Sequence, residues 1–380
     1  MNVKTAKKPR PRFDTSYIAR FGMQAYGEDN LYPQNLQRIT SASGTAVTCL
    51  SRYAKFVEGG GMADGGAAIV NHHGMTIDDL LHDIANDVAE FGGFALHINY
   101  NVLGYPTEIQ HQPFEACRLA EEDDFGNVAH ILVHPDWKGD VTRAGKRLRV
   151  DEKTIKRFPT FNPDPAVVMQ QIASVGGIQN YHGQIAWFSM AGRWVYPTPI
   201  YDAAITEIST DEGLGNIKYR NARNNFLTSC MLITKKGVPK IDPESGREIE
   251  TSMITDEDLR QFQGDENTSK MLVVELENDE DKPEVVSFPA TNYDKDFSVT
   301  DASVVERIYA QFHQELFHAI RIGKLGFSGD VMRDAYDYYA GEVTNEQRFI
   351  QRGLTAVTRN MEGVAYDWRI KPLKYMNSEI

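Results

Sequence analysis

Between Asp296 and Met361 an amphipathic pattern, a glycine-punctuated loop and a second helical pattern follow one another without a break. Val304, Val305, Ile308, Tyr309, Phe312, Leu316, Phe317 and Ile320 recur every three or four positions, the period of one buried helix face. Glu306, Arg307, Gln311, His313, Gln314, Glu315 and His318 fill the positions between, so the opposite face is built for water or charged neighbours. The spacing predicts a continuous helix over 298–320, capped by Ser298 or Thr300 and roughly 30 Å long. It ends in Arg321-Ile322-Gly323-Lys324-Leu325-Gly326-Phe327-Ser328-Gly329-Asp330, where three glycines in seven residues break the period. This predicts a flexible loop over 321–333 with two cations, Arg321 and Lys324, and three apolar tips, Ile322, Leu325 and Phe327. A polar-aromatic run with Tyr336, Tyr338 and Tyr339 then leads into one further helix toward Leu354, Val357 and Met361.

A chain of 380 residues suits two or three modules. With 41% apolar and 24% charged residues it has the composition of an ordinary folded protein. No run approaches the ~20 apolar residues of a membrane span, and the N-terminus lacks the apolar core of a secretion signal. The expectation is a cytoplasmic site of synthesis and no membrane partner. Cys49, Cys117 and Cys230 are odd in number and far apart, which argues against a disulfide framework and a cysteine zinc site. The net charge of −13 is the wrong sign for gripping nucleic acid by phosphate neutralisation. An acidic wall with a few cations at a constriction would let a polyanion slide, whereas a basic groove would hold it. Acidity of this size also serves plain solubility.

Along the chain, residues 1–20 read as a flexible basic tail, with Lys4, Lys7, Lys8, Arg10 and Arg12 among prolines. A helix follows Leu31-Tyr32-Pro33 through Leu36, Ile39, Val47, Leu50, Tyr53 and Phe56 and closes at Gly59-Gly60-Gly61. A second helix covers 76–91 with Thr76 as its cap. From Gly93 to Trp194 the period changes to two, predicting a small antiparallel sheet. A helix over 202–225 comes next, weakened by Gly213 and Gly215. Residues 231–297 read as a compact α/β insert between two long helices, with strands near 231–234, 271–275 and 285–288 and a short helix opened by Thr255-Asp256-Glu257-Asp258. From Pro239 to Glu284 it holds 15 acidic against 5 basic residues.

His72, His73, Asp78, Asp79, His82 and Asp83 lack a zinc-site spacing and sit beside a helix with a complete packing stripe, so no metal is expected. The glycines at 59–61 and 65–66 lack the Lys-Ser/Thr of a phosphate loop and read as turns. Ser189 and His182 lack a nucleophile-elbow context. Two rival functions remain at this level. One is a Mg²⁺-dependent nuclease or phosphotransferase using the carboxylates of 231–297. The other is an oligomeric adaptor or scaffold that never surrounds DNA.

In the order of these features the chain resembles the portal proteins of tailed bacteriophages, the head-to-tail connector rings at a capsid vertex. The resemblance runs over roughly residues 20–375. It rests on the glycine-closed opening helix, the sheet region, the Trp194-Val195-Tyr196-Pro197-Thr198-Pro199-Ile200-Tyr201 run leading through a helix to Asn224-Asn225-Phe226, the insert, and the segment Asp296 to Phe349. It implies an α+β portal fold. The wing would be 21–200, the first stem helix 201–230, the clip 231–297, the second stem helix 298–320 and the tunnel loop 321–333. Residues 334–380 would form a wing or crown-side helix and a C-terminal strand, with little crown. Arg321, Ile322, Gly323, Lys324, Leu325, Gly326 and Phe327 would face DNA. Glu306, Arg307, Gln311, Gln314, Glu315 and His318 would line the channel or a subunit interface, and Asp256, Glu257 and Asp258 would dock partners. The resemblance further implies a homo-oligomer, usually a dodecamer, holding double-stranded DNA without sequence specificity. Its partners would be a terminase, a head-to-tail adaptor and the major capsid protein. It implies a place in the virion after assembly in the host cytoplasm, no catalytic site and no cofactor.

Overall fold

The computed structural model describes residues 16–139, 142–143, 146–147, 149–190, 195–223, 231–235, 240–241, 248–249, 263–264, 267–268, 272–276, 293–364 and 367–375. The chain forms two compact units, Met1–Ser209 with Val304–Ile380, and Thr210–Ser303. Residues 1–15 of the expected basic tail, Trp194, Asn224-Asn225-Phe226, Asp256, Glu257, Asp258 and the strand expected at 285–288 lie outside the described residues, while Tyr17–Ile18, at the end of that tail, is paired strand.

The first unit opens with the short strands β1 (Tyr17–Ile18) and β2 (Met23–Gln24), then helices α1 (Tyr32–Ala42), α2 (Gly44–Glu58) and α3 (Ile77–Phe91). The single helix expected through Phe56 is two helices. Ser43 takes an extended conformation, and its hydroxyl accepts the Ala46 N–H at 3.0 Å, so it ends α1 and caps α2. Helix α3 starts at Thr76 through a capping box with Asp79, as its sequence predicts. At Gly59 an added Cβ would sit 2.3 Å from the Lys371 carbonyl, so only glycine lets residues 59–63 run against the C-terminal segment. There Gly60 and Ala63 donate to Lys371 and Arg369, and Lys371 donates to Gly61.

Two three-stranded antiparallel sheets follow, built from β3 (Gly93–Tyr100), β4 (Pro106–Gln112), β5 (Cys117–Leu119), β6 (His130–Val133), the hairpin β7 (Thr142–Arg143) and β8 (Lys146–Arg147), β9 (Lys156–Pro159) and β10 (Gln184–Ser189). Their orders are β10-β3-β4 and β5-β6-β9. The period-two reading foresaw antiparallel pairing but one sheet rather than two. It also missed α4 (Pro165–Ser174), which Asp164 caps with Pro165 at its first turn. The sheets adjoin edge to edge where Thr160, just after β9, bridges Ile185 of β10, and His97 of β3 meets Phe158 of β9 with ring centroids 5.3 Å apart. At their edge Tyr26 stacks on Tyr196 at 4.1 Å, and Trp187 stacks on Phe114 at 4.1 Å.

Helix α5 (Ile205–Arg223) runs through Gly213 and Gly215 without a break. The described part of the second unit contains β11 (Met231–Lys235), the hairpins β12 (Lys240–Ile241) with β13 (Glu248–Ile249) and β14 (Gln263–Gly264) with β15 (Asn267–Thr268), and β16 (Leu272–Leu276), parallel to β11. Four helices complete the chain: α6 (Tyr293–Gln311), α7 (Glu315–Arg321), α8 (Gly329–Glu342) and α9 (Thr344–Thr358). The molecule is α+β. Among the described residues no helix is long and apolar enough to cross a membrane.

Candidate functional site

The site grows out of two successive helix stops of the same kind. Helix α6 ends where His313 takes a left-handed conformation, with φ of 55°. The His313 N–H donates to the Ala310 carbonyl at 3.0 Å and the Gln314 N–H to Tyr309 at 2.9 Å, the paired bonds of a Schellman stop. Helix α7 stops identically at Gly323, φ 77°, whose N–H donates to Ile320 at 3.0 Å while Lys324 donates to Ala319 at 2.9 Å. The continuous helix predicted over 298–320 is therefore broken at 312–314. Its apolar stripe kept its period through the break, because Phe312, Phe317 and Ile320 are all buried.

The break is locked by Gln314, which is fully buried. Its Nε2 donates to the Cys49 carbonyl at 2.8 Å and to the Tyr339 hydroxyl at 2.9 Å, and its Oε1 accepts from Arg52 at 2.9 Å. The Tyr339 hydroxyl in turn donates to the Phe312 carbonyl at 2.8 Å. One side chain thus ties α2, the break and α8 together. Gln314 therefore lines neither a channel nor a subunit surface, a correction to its expected place: the lost helical turn directs it inward, where the Cys49 carbonyl, the Tyr339 hydroxyl and the half-buried Arg52 meet it. Gln311 is half-buried and donates to the Ile200 carbonyl at 2.6 Å. His318 is half-buried against Tyr309, while Glu306 and Glu315 are exposed and Arg307 reaches Glu207 at 3.6 Å.

Between the second stop and the next helix the chain projects only residues 322–328, less than the expected 321–333. Ser328 caps α8 by accepting the Val331 N–H at 3.3 Å, so Gly329 and Asp330 are already helical. The loop is fixed at both ends, and Lys324, Leu325, Gly326 and Phe327 span the gap. All of residues 321–330 are exposed, with Ile322 at 48%, Leu325 at 46% and Phe327 at 80%. Arg321 closes α7 and donates to the Tyr309 hydroxyl at 3.0 Å. The arrangement displays apolar tips and a lysine on a short tether, with no recess for a small substrate in the loop itself.

No known protein family's sequence pattern matches the chain, and no curated protein does. Solved structures do. A chain in the virion of a native gene transfer agent (GTA) particle matches with a TM-score of 0.50 at 12% identity, covering 90% of this chain and 83% of that one. A chain in the neck of an empty GTA particle computed with C6 symmetry matches with a TM-score of 0.50 at 13% identity, over the same shares. This chain shares its fold with those particle chains. The likeness agrees with the portal resemblance read from the sequence.

Within this fold, sequence reasoning misplaced Gln314 and missed Arg118, two fully buried polar residues that organise it. The Arg118 guanidinium is completely buried without a carboxylate. It donates to Asn30, Gln34 and the carbonyls of Asn30, Glu115 and Cys117, and burial pulls its pKa down to about 10. The three tyrosines of the polar-aromatic run divide. Tyr339 is buried against Phe56, Tyr336 sits half-buried among Phe56, Phe317 and Tyr375, and Tyr338 is exposed. The histidines near 72–82 are engaged locally: His72 with Glu108 at 2.6 Å and His82 with Glu58 at 2.9 Å. Among the described residues no group of three or more His, Cys, Asp or Glu is placed to hold a metal ion.

Proposed function

We propose that this chain is a portal-type subunit whose copies close into a ring at a capsid vertex, around the path by which double-stranded DNA enters and leaves. The observation that carries the reading is the correspondence of fold along 90% of the chain with a chain of a particle neck computed with cyclic symmetry. A closed ring uses two different faces of each copy. Twelve copies of 42.8 kDa would give a particle of roughly half a megadalton. In such a ring the 322–328 loops converge on the central hole. Leu325 and Phe327 narrow it, and Lys324, with Arg321 behind it, meets passing phosphates without reading sequence. The acidity of the chain keeps those contacts brief.

The subunit does no chemistry of its own; ATP hydrolysis belongs to a separate terminase. Residues 231–297 dock that terminase and later a head-to-tail adaptor, and the ring seats against the major capsid protein. The test replaces Lys324, Leu325, Gly326 and Phe327 by a Gly-Ser linker of equal length. Rings should still assemble while DNA packaged per particle falls severalfold. Normal packaging would favour an adaptor that never encircles DNA. Mg²⁺-dependent cleavage of plain duplex DNA, lost when Asp256, Glu257 and Asp258 become alanine, would overturn the non-catalytic reading.

A further inference from the structure

Between β5 and β6 the chain turns through Glu121-Glu122-Asp123-Asp124-Phe125-Gly126-Asn127, with four carboxylates in succession. Asp123 makes this turn rigid. Its carboxylate accepts the N–H groups of Phe125 at 2.9 Å and Asn127 at 2.7 Å and the Asn127 side chain at 3.2 Å. Across the turn Asp123 and Asn127 also pair through their backbones at 2.9 Å. The tip is Phe125, 90% exposed. An aromatic ring held in water on an already ordered turn loses little freedom when it docks, which is how a protein contact is anchored at low cost.

A receptor of opposite charge lies on the outer side of α9. It is an open cavity of ≈ 340 Å³, lined by Arg348, Gln351, Arg352, Thr355, Asp367 and Trp368. Arg348 and Arg352 stand one helical turn apart on the same face. Turn and cavity belong to opposite layers of the first unit. Helix α9 lays Phe349 on Phe94, on one face of the β10-β3-β4 sheet, with Gly353 close to the same ring. The turn borders the opposite side of β10, where Glu122, Gly126 and Asn127 line one recess with Trp187 and Ser189.

We propose that the Phe125 turn of one copy inserts into the Arg348–Arg352 cavity of the next, forming a head-to-tail contact of the ring. The Phe125 ring lies over the guanidinium planes, and Glu122 and Asp124 flank it as counter-charges. A head-to-tail ring requires two unlike, complementary patches on one chain, and Glu122 and Asp124 facing Arg348 and Arg352 meet that requirement. The contact rests on the ring reading proposed above.

The test is a charge exchange on the full chain, read by native mass spectrometry and negative-stain images over a concentration series, with circular dichroism to verify folding. Asp124→Arg and Arg352→Glu, each alone, should raise the concentration for half-assembly about tenfold, equivalent to ~1.4 kcal/mol. The two combined should return it to near the wild-type value, and Phe125→Ala should weaken assembly on its own. If wild-type protein forms rings and the single variants assemble equally well, this contact is overturned and the ring reading stands. If the wild-type protein stays monomeric at micromolar concentration, the ring reading fails and takes the contact with it.

Discussion

Replacing Gln314 by alanine removes the junction that holds α2, α8 and the 312–314 break together, and the structure sets the size of the effect. Three side-chain hydrogen bonds are lost: the buried ones to the Cys49 carbonyl and the Tyr339 hydroxyl, and the part-buried one from Arg52. A neutral bond nets about 1 kcal/mol and a bond to a charged group about 1.5–3 kcal/mol, so the loss comes to about 4 kcal/mol. His313 also loses the anchor beside its left-handed backbone, in the same direction. Trp137, Trp187, Trp194 and Trp368, all of the protein's tryptophans, belong to the unit that contains Gln314. Guanidinium unfolding followed by tryptophan fluorescence therefore reads the right unit. A loss of stability under about 1 kcal/mol would refute the argument that this glutamine organises the support of the loop.

The pH dependence of the same unit should follow Glu90, whose carboxyl is pushed up to about 7, chiefly by burial and further by Asp87 and Glu115. Its folded pKa lies above its unfolded one, so the folded state holds the extra proton, and stability should fall by on the order of 2 kcal/mol as pH rises from 5 to 8. Fluorescence-monitored melts of the wild type and Glu90→Gln check this, the variant showing the shallower slope. Two glycine substitutions should destabilise for different reasons, measurable by the same melts. At Gly323 a Cβ would meet open space, so Gly323→Ala should cost only the left-handed backbone penalty, about 1 kcal/mol. At Gly353 a Cβ would lie 2.5 Å from the Phe94 ring, so Gly353→Ala should cost about 1–3 kcal/mol through overpacking, against any gain in helix propensity.

What could be read from the sequence follows how local each signal is. Thr76 and Asp79 announce the start of α3 three residues apart, and Gly323 announces the end of α7, because one residue type satisfies the local need in each case. The stop at His313 uses the same hydrogen bonds with a residue that rarely adopts a left-handed backbone. The distant partners of Gln314 hold it there, with Glu342 3.5 Å from its own ring, and no window around residue 313 contains Cys49, Tyr339 or Glu342. Ser43 and the Asp164-Pro165 pair were legible helix starts passed over in favour of a longer periodicity, the first inside an apolar stripe and the second inside a stretch read as sheet. For the site, the cations and apolar tips of 321–327 were visible as composition. That the loop is capped at both ends and only seven residues long required the backbone bonds.

The most direct test of the central claim is a cryo-electron-microscopy reconstruction of the purified full-length protein. The account predicts a closed ring in which residues 324–327 of every copy project into one shared central hole, wide enough for a DNA duplex. Monomers, or an assembly that carries Phe327 on its outer surface, would contradict it.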